Sequence, residues 1–274
     1  MKIKDVNELE RIAKEVRKNI VTQVYTAKAG HPGGSLSSAD ILTVLYFNQM
    51  NIDEKNPKAP QRDRFILSKG HCAPALYAVL AEKGYFDKER LSEFRSVKGN
   101  LEGHPDMNKV PGVDMTTGSL GQGLSVANGM ALSSKLNHDG FRVYCLVGDG
   151  EIEEGQIWEA AMSSYKYKLD NLCLIVDNNN LQIDGSIESV KGLDNIEGKF
   201  KAFGFKTIVI DGNNIEQIID AFETAKLTKG VPTAIIAKTI KGKGVSFMEN
   251  EVEWHGKAPN EEEYKQAIIE LENI

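Results

Sequence analysis

The chain has 274 residues, a formal net charge of −6 and a pI near 5.5. This length is sufficient for one large α/β domain with a buried core, and we expect a single domain over residues 1–274. The acidic balance argues against nucleic-acid binding, which needs lysines and arginines gathered on one face. The sequence contains no apolar run of the roughly 20 residues that span a bilayer, no secretion signal and only three cysteines. We therefore expect a cytoplasmic protein that does not bind membranes.

The first part of the chain predicts two helices and a strand. Apolar residues recur at helical spacing over Leu9–Val24, and the glycine-rich segment Gly30–Gly34 follows as a predicted loop. The Ser37-Ser38 pair is predicted to cap a second helix over Ala39–Met50. The run Arg64–Leu67 is typical of a strand.

The second half alternates strands with helices. We predict strands at Val143–Val147, Leu172–Val176, Thr207–Ile210 and Thr233–Ala237, and helices at Trp158–Tyr167 and Ile215–Ala225. This alternation predicts an α/β fold, a parallel sheet with helices on both faces. Ligands of such sheets bind beyond the carboxyl ends of the strands, so function is expected at that edge.

Polar residues follow two of these predicted strands directly. Gly148 and Gly150 allow the backbone to approach a phosphate, and Asp149 offers a hard carboxylate oxygen. Asn179 supplies an amide oxygen after the next strand, and the carbonyl of Leu181 is a candidate third ligand. Either motif alone is commonly an ordinary turn or polar loop, but the pair predicts a site for Mg²⁺, with Ca²⁺ or Mn²⁺ as alternatives.

The segment from Gly148 to Asn179 resembles the diphosphate-binding signature of thiamine diphosphate enzymes. It reads GDGEIEEGQIWEAAMSSYKYKLDNLCLIVDNN in this chain. A phosphate-loop nucleotide site lacks its lysine-serine pair here, and a nicotinamide site lacks its glycine fingerprint at the first strand–helix turn. The resemblance implies that thiamine diphosphate is the cofactor.

Four of the five histidines lie in glycine-containing segments: His31, His71, His104 and His255. Histidine exchanges protons near neutral pH and can hydrogen-bond a sugar hydroxyl, although for any one of them a structural role is equally common. The fifth, His138, is predicted to lie on the surface at a helix end.

The segments around these histidines resemble the N-terminal signatures of transketolases, and they occur in that family's order. These segments are AGHPGGSLSSADILTVLYF, SKGHCAPALYAVL, EGHPD and TTGSLGQGLSVANGMAL. The resemblance covers nearly the whole chain and implies a thiamine diphosphate-binding fold. It further implies that His71, Gly118 and Leu120 contact the cofactor, with Gly148, Asp149, Gly150 and Asn179 at its diphosphate and Asp149, Asn179 and Leu181 at the metal.

The same resemblance implies that His31, His104 and His255 face the substrate and act in catalysis. The chain departs from the family around His255, where it has one residue more between His255 and Pro259. Glu154 and Glu159 match family carboxylates where two subunits meet, but ordinary first-turn helix acids remain an equal alternative. Lys241 and Lys243 are either ligands for an anion or residues of a mobile surface loop.

The pyrimidine-binding and C-terminal domains of full-length transketolases have no counterpart in these 274 residues. The glutamate that activates the cofactor ring and most sugar-phosphate arginines belong to those domains. The resemblance therefore implies an N-terminal subunit that works with a C-terminal transketolase subunit. We expect this chain to form a homodimer or, with its partner subunit, a heterotetramer.

The leading hypothesis is transfer of a two-carbon ketol unit from a ketose phosphate to an aldose phosphate, as in the pentose phosphate pathway. Two alternatives remain open. One is a subunit of another thiamine diphosphate enzyme, which would act on a 2-oxo acid or an unusual sugar. The other is a non-catalytic regulatory subunit.

Overall fold

The computed structural model describes residues 2–273 and contains a five-stranded parallel sheet between two layers of helices. The helices are α1 Val6–Ala27, α2 Pro32–Ser37, α3 Ala39–Val44, α4 Ala73–Lys83, α5 Gly123–Asn137, α6 Gly155–Lys166, α7 Ile187–Val190, α8 Ile196–Ala202, α9 Ile215–Leu227 and α10 Glu261–Glu272. The strands are β1 Arg64–Leu67, β2 Val143–Gly148, β3 Leu172–Asn178, β4 Leu181–Gln182, β5 Gly185–Ser186, β6 Lys206–Asp211 and β7 Thr233–Lys238. The predicted α/β class is confirmed.

The sheet has the strand order β1-β2-β3-β7-β6, while β4 and β5 form a small separate hairpin. The central strands are apolar on both faces because each face is covered. One face packs with α1, α3, α4 and α9 through residues such as Tyr144 and Ile175, and the other packs with α5, α6 and α8 through residues such as Cys145 and Leu174. Cys145 and Cys173 are thus buried small hydrophobes.

The predicted glycine-rich loop at residues 30–34 is wrong in part, because α2 begins within it at Pro32. Proline suits the first turn of a helix, where its missing N–H has no partner to lose. The predicted cap of the next helix is also wrong. Neither serine caps α3; the hydroxyls of Ser37 and Ser38 instead donate to the carbonyl of Gly34 and to the carboxylate of Asp177.

The other predicted elements are present with small shifts in their ends. The second helix changes after Val44 into a wider π-helical turn over Leu45–Gln49. None of the helices described within residues 2–273 is long and apolar enough to cross a membrane.

Candidate functional site

The carboxyl ends of four adjacent strands open into one cavity of about 400 Å³. Every residue predicted for the site lines this cavity: His31, His71, His104, Gly118, Leu120, Gly148, Asp149, Gly150, Asn179, Leu181 and His255. A larger groove of about 850 Å³ between α1, the segment 243–249 and α10 contains none of them. The parallel order of the strands explains the convergence, since segments distant in the chain leave the sheet at the same edge.

The two polar motifs lie side by side because β2 and β3 are neighbours. Gly148 pairs with Asp177 in the strand register, so the Asp149 turn and the Asn179 segment emerge together. The Asp149 carboxylate accepts hydrogen bonds from the Asn178 side chain and from the backbone N–H groups of Gly150 and Asn180. These bonds orient a carboxylate that is almost fully shielded from solvent, since Asp149 has a relative exposure of 2%.

Asp149 has no ionic partner among residues 2–273. Burial, and after it the negative charge of Asp177, raise the pKa of Asp149 to about 6. A nearby cation stabilises the ionised form of such a buried carboxylate. Within the described residues no three His, Cys, Asp or Glu side chains form a metal cluster. A divalent cation would therefore need amide and carbonyl oxygens, such as those of Asn179 and Leu181, besides Asp149.

Lys69 and Asp177 form a buried ion pair beneath this cavity. Although burial favours the neutral form of each, their mutual attraction lowers the pKa of Asp177 and raises that of Lys69. The carboxylate also accepts from Ser37 Oγ at 2.6 Å and from Thr239 Oγ1, and Lys69 Nζ donates to the Gly34 carbonyl at 2.8 Å. This network joins α2 to the ends of β1, β3 and β7.

Three imidazoles that line the same cavity form a triangle. The ring centroids of His31 and His71, and those of His71 and His255, are 5.1 Å apart, and those of His31 and His255 are 5.5 Å apart. Burial is the main cause that lowers their pKa values, to about 4 for His31 and His71 and about 3 for His255. All three are therefore neutral at pH 7 and able both to donate and to accept hydrogen bonds.

His104 lies apart from this triangle, with its ring 3.5 Å from the position that a Cβ on Gly118 would occupy. Burial is the main cause that lowers the pKa of His104, and its electrostatic interactions with His71 and Arg95 lower it further. The predicted surface position of His138 is confirmed, since it is an exposed residue in the left-handed conformation at the C-terminus of α5.

Lys241 belongs to the site, and its interpretation as a mobile surface residue is wrong. Its relative exposure is 1%, and its Nζ lies 3.1 Å from His255 Nδ1 and 3.4 Å from the carbonyl oxygen of Leu181. Burial lowers the pKa of Lys241. Lys243 lies outside the cavity and faces Glu249 at 3.6 Å.

The sequence analysis did not single out Lys69, Asp177 and Glu151, which are buried charged residues at the site. Each of them follows or ends a buried strand, which is the one sequence signal that could have marked them. Glu154 lines the cavity and is exposed. Glu159 on α6 is also exposed but does not line the cavity.

Comparison with known proteins gives consistent matches over nearly the whole chain. The family described as "Transketolase, thiamine diphosphate binding domain" matches residues 9–271. The chain is 46% identical over 265 residues to SqwG, a 6-deoxy-6-sulfo-D-fructose transketolase subunit of Clostridium sp. (strain MSTE9), covering 97% of this chain and 96% of that protein. It is 45% identical over 269 residues to an apulose-4-phosphate transketolase subunit of Phocaeicola vulgatus, covering 97% and 94%.

Longer relatives match only through part of their length. Human transketolase is 41% identical over 264 residues, which cover 96% of this chain but 42% of the human protein. The transketolase structure from Campylobacter jejuni superposes with a TM-score of 0.92 at 35% identity, covering 98% of this chain and 43% of that one. The Leishmania mexicana transketolase gives a TM-score of 0.91 at 31% identity, covering 96% and 41%.

Proposed function

Since the chain belongs to the transketolase family and comprises that family's thiamine diphosphate-binding domain, we propose that it is the N-terminal subunit of a split transketolase. In this proposal residues 1–274 form one domain, and a separate C-terminal subunit supplies the pyrimidine-binding domain. The enzyme transfers a two-carbon ketol unit from a ketose phosphate to an aldose phosphate. The support for a split enzyme is that relatives named as subunits are covered over 94–96% of their length.

One observation supports this function above all others. The candidate metal ligands Asp149, Asn179 and Leu181 line the same cavity as the buried Lys241 and the four histidines. Asp149, Asn179 and the Leu181 carbonyl would hold Mg²⁺, and their hard oxygens equally suit Ca²⁺ or Mn²⁺. The turn Gly148-Asp149-Gly150 would allow the diphosphate to approach the backbone. Lys241 adjoins the proposed metal ligand Leu181 and would neutralise diphosphate charge.

Thiamine diphosphate would supply, when bound, the carbanion chemistry that ketol transfer needs. The remaining cofactor contacts proposed are His71, Gly118 and Leu120, which adjoin one another in the cavity wall. A Cβ on Gly70 would lie 2.9 Å from the Gly118 backbone nitrogen, so the His71 turn and the 117–120 segment are in direct contact.

His31, His104 and His255 are the proposed substrate-facing residues. The low pKa values of His31 and His255 keep these rings unprotonated at pH 7, which a base for a sugar hydroxyl requires. His31 Nδ1 is buried without a hydrogen-bond partner within residues 2–273. A hydroxyl of the bound sugar is a suitable partner for one of these rings.

The experiment is reconstitution of ketol transfer. The chain is expressed alone and together with a pyrimidine-binding subunit encoded beside it, supplied with thiamine diphosphate and Mg²⁺, and assayed with xylulose 5-phosphate and ribose 5-phosphate. We expect activity only from the combined subunits, and none when the combined preparation carries Asp149→Ala. Full activity from this chain alone would contradict the split-enzyme proposal.

A ketose outside the pentose phosphate pathway is the second candidate substrate. The relatives that share 45–46% identity are named for 6-deoxy-6-sulfo-D-fructose and apulose 4-phosphate. The same reconstituted enzyme is therefore tested with both of these ketoses as donors. A higher kcat/KM for either one than for xylulose 5-phosphate would favour this candidate.

A further inference from the structure

Glu151 is a buried carboxylate that none of the roles above uses. It begins a 3-10 turn directly after Gly150, and its relative exposure is 3%. Among residues 2–273 it forms no salt bridge, although isolated buried carboxylates are costly. Hydrogen bonds must therefore stabilise it.

Three donors supply these bonds, and each comes from a different segment of the cavity wall. Glu151 Oε1 accepts from the hydroxyl of Ser68 and from the N–H of Gly121 at 2.9 Å, and Oε2 accepts from the N–H of Gly148 at 3.0 Å. Ser68 Oγ in turn accepts from the N–H of Gly123 at 3.1 Å. One carboxylate thus connects the ends of β1 and β2 with the start of α5.

These three segments carry most of the residues proposed to bind the cofactor, and Asn179, Leu181 and Lys241 lie outside them. His71 follows Ser68, Gly118 and Leu120 precede Gly121, and the Gly148–Gly150 turn adjoins Glu151 itself. The sheet fixes two of these segments, because Gly148 ends β2 and the N–H of Ser68 donates to the Leu146 carbonyl. The third, residues 117–122, is irregular backbone that the sheet does not hold against the other two. A further interaction is needed to hold the three segments at the distances that a rigid ligand requires.

We propose that Glu151 is a positioning residue, whose carboxylate holds these three segments in the arrangement that binds thiamine diphosphate. Glu151 acts through the three segments rather than through contact with the reacting atoms. The inference rests on the proposed function, because it assumes that the cavity binds this cofactor.

The test is Glu151→Gln, which has nearly the same shape but one oxygen in place of two. The N–H of Gly121 and the N–H of Gly148 each need their own oxygen, so in either orientation the new amide NH₂ faces one of them. Since a hydrogen bond to a charged group contributes about 1.5–3 kcal/mol, the Kd for thiamine diphosphate with Mg²⁺ should rise roughly tenfold or more. Titration calorimetry on the full chain measures this Kd, and Glu188→Gln on the exposed side of α7 is the control of equal charge change.

Amide hydrogen exchange of the cofactor-free chain separates positioning from general destabilisation. We expect faster exchange at Gly121, Gly148 or both in Glu151→Gln, with the other amides of β2 and those of β3 unchanged. Faster exchange throughout the sheet, or an unchanged Kd, would overturn the proposal. If Glu151→Gln does not fold, Ser68→Ala applies the same two measurements, with faster exchange expected over residues 121–123.

The two proposals fail in different ways. A parent chain that does not bind thiamine diphosphate even together with the pyrimidine-binding subunit refutes the proposed function, whereas the exchange experiment still tests the connection made by Glu151. A parent that binds and a Glu151→Gln variant that binds equally well refute only the positioning role.

Discussion

Asp149 combines burial, three hydrogen bonds that orient it and no cationic partner within residues 2–273. These properties are costly in the free protein and favourable once a divalent cation is bound. Asp149→Ala should therefore weaken thiamine diphosphate binding in the presence of Mg²⁺ by roughly a hundredfold or more, given that even residues behind metal ligands contribute 10–100-fold. Titration calorimetry provides the measurement.

The matched control for this prediction is Asp220→Asn, at an exposed position on α9. It should leave the cofactor affinity unchanged. Circular dichroism should show the same secondary structure for both variants and the parent. An Asp149→Ala chain that keeps the parent's affinity would refute the metal assignment.

The histidine triangle makes the stability of the cofactor-free chain depend on pH. The pKa of His255 is lowered to about 3 and the pKa of His31 to about 4, mainly by burial. Between pH 4 and the ordinary value of 6.5 the unfolded chain thus binds protons that the folded chain does not. The stability from these neutral rings is present above pH 6.5 and is lost as the pH falls toward 4.

Urea unfolding measured at several pH values tests this dependence. Since acidic groups also titrate in this range, the quantity compared is the slope of unfolding free energy against pH. His255→Asn should reduce the slope between pH 4 and 6.5, while His138→Asn, at an exposed helix end, should leave it unchanged. Equal slopes for His255→Asn and the parent would contradict the prediction.

The predicted site residues could be found from the sequence because they follow apolar strands or glycines, and both signals are local. Lys241 and Glu151 also follow strands, but this local signal does not show that they are buried. Lys241 is buried by contacts with Leu181 and His255, and the donors to Glu151 lie as far away as Ser68. Tertiary contacts decide the burial of a charged side chain, and a single sequence does not display them.

At the scale of elements, α2 contains two glycines that lie close to the site. A Cβ on Gly33 would be 2.9 Å from the Trp254 carbonyl oxygen and 3.0 Å from the Lys241 stem, so there is no space for a methyl group. Gly33→Ala should lower the free energy of unfolding by about 1–3 kcal/mol and weaken cofactor binding, because Lys241 must move. Chemical unfolding and calorimetry measure the two effects.

Gly129 in α5 is the matched control, since a Cβ there meets nothing within 4 Å. Gly129→Ala should raise the free energy of unfolding by about 0.5–1 kcal/mol, because alanine favours the helix and restricts the unfolded chain. Its cofactor affinity should equal that of the parent. If Gly33→Ala were tolerated as well as Gly129→Ala, the close packing of α2 against Lys241 would be contradicted.

The five strands of the central sheet were predicted to within one or two residues because continuous apolar runs are a strong local signal, whereas the short strands β4 and β5 were not predicted. Helices α4 and α5 were not assigned from the sequence. The stretch Ala73–Ala81 of α4 is buried all round, so it lacks the alternation of apolar and polar faces that marks a surface helix. Helix α5 carries Gly123 and Gly129, which lower its helical propensity.

At the scale of the whole molecule, the cavity joins segments from residue 31 to residue 255. These segments leave four strands of the central sheet as well as the helical layer. A ligand that contacts the folded cavity and not the unfolded chain stabilises the entire fold. Thermal unfolding of the whole chain therefore reports on binding at the site.

We expect thiamine diphosphate with Mg²⁺ to raise the midpoint of thermal unfolding of the chain in a concentration-dependent way. At one hundred times the Kd the stabilisation should be about 2.7 kcal/mol. Thiamine without its diphosphate should produce little shift, because the roles proposed for Asp149, Asn179 and Lys241 are contacts with the diphosphate and its metal. A chelator should abolish the shift, since the cofactor's diphosphate and the Asp149 carboxylate repel each other without a cation between them. An equal shift with thiamine alone, or a shift that persists with the chelator, would contradict this prediction. It would show that the cofactor does not bind mainly through its diphosphate and metal at the carboxyl ends of the strands.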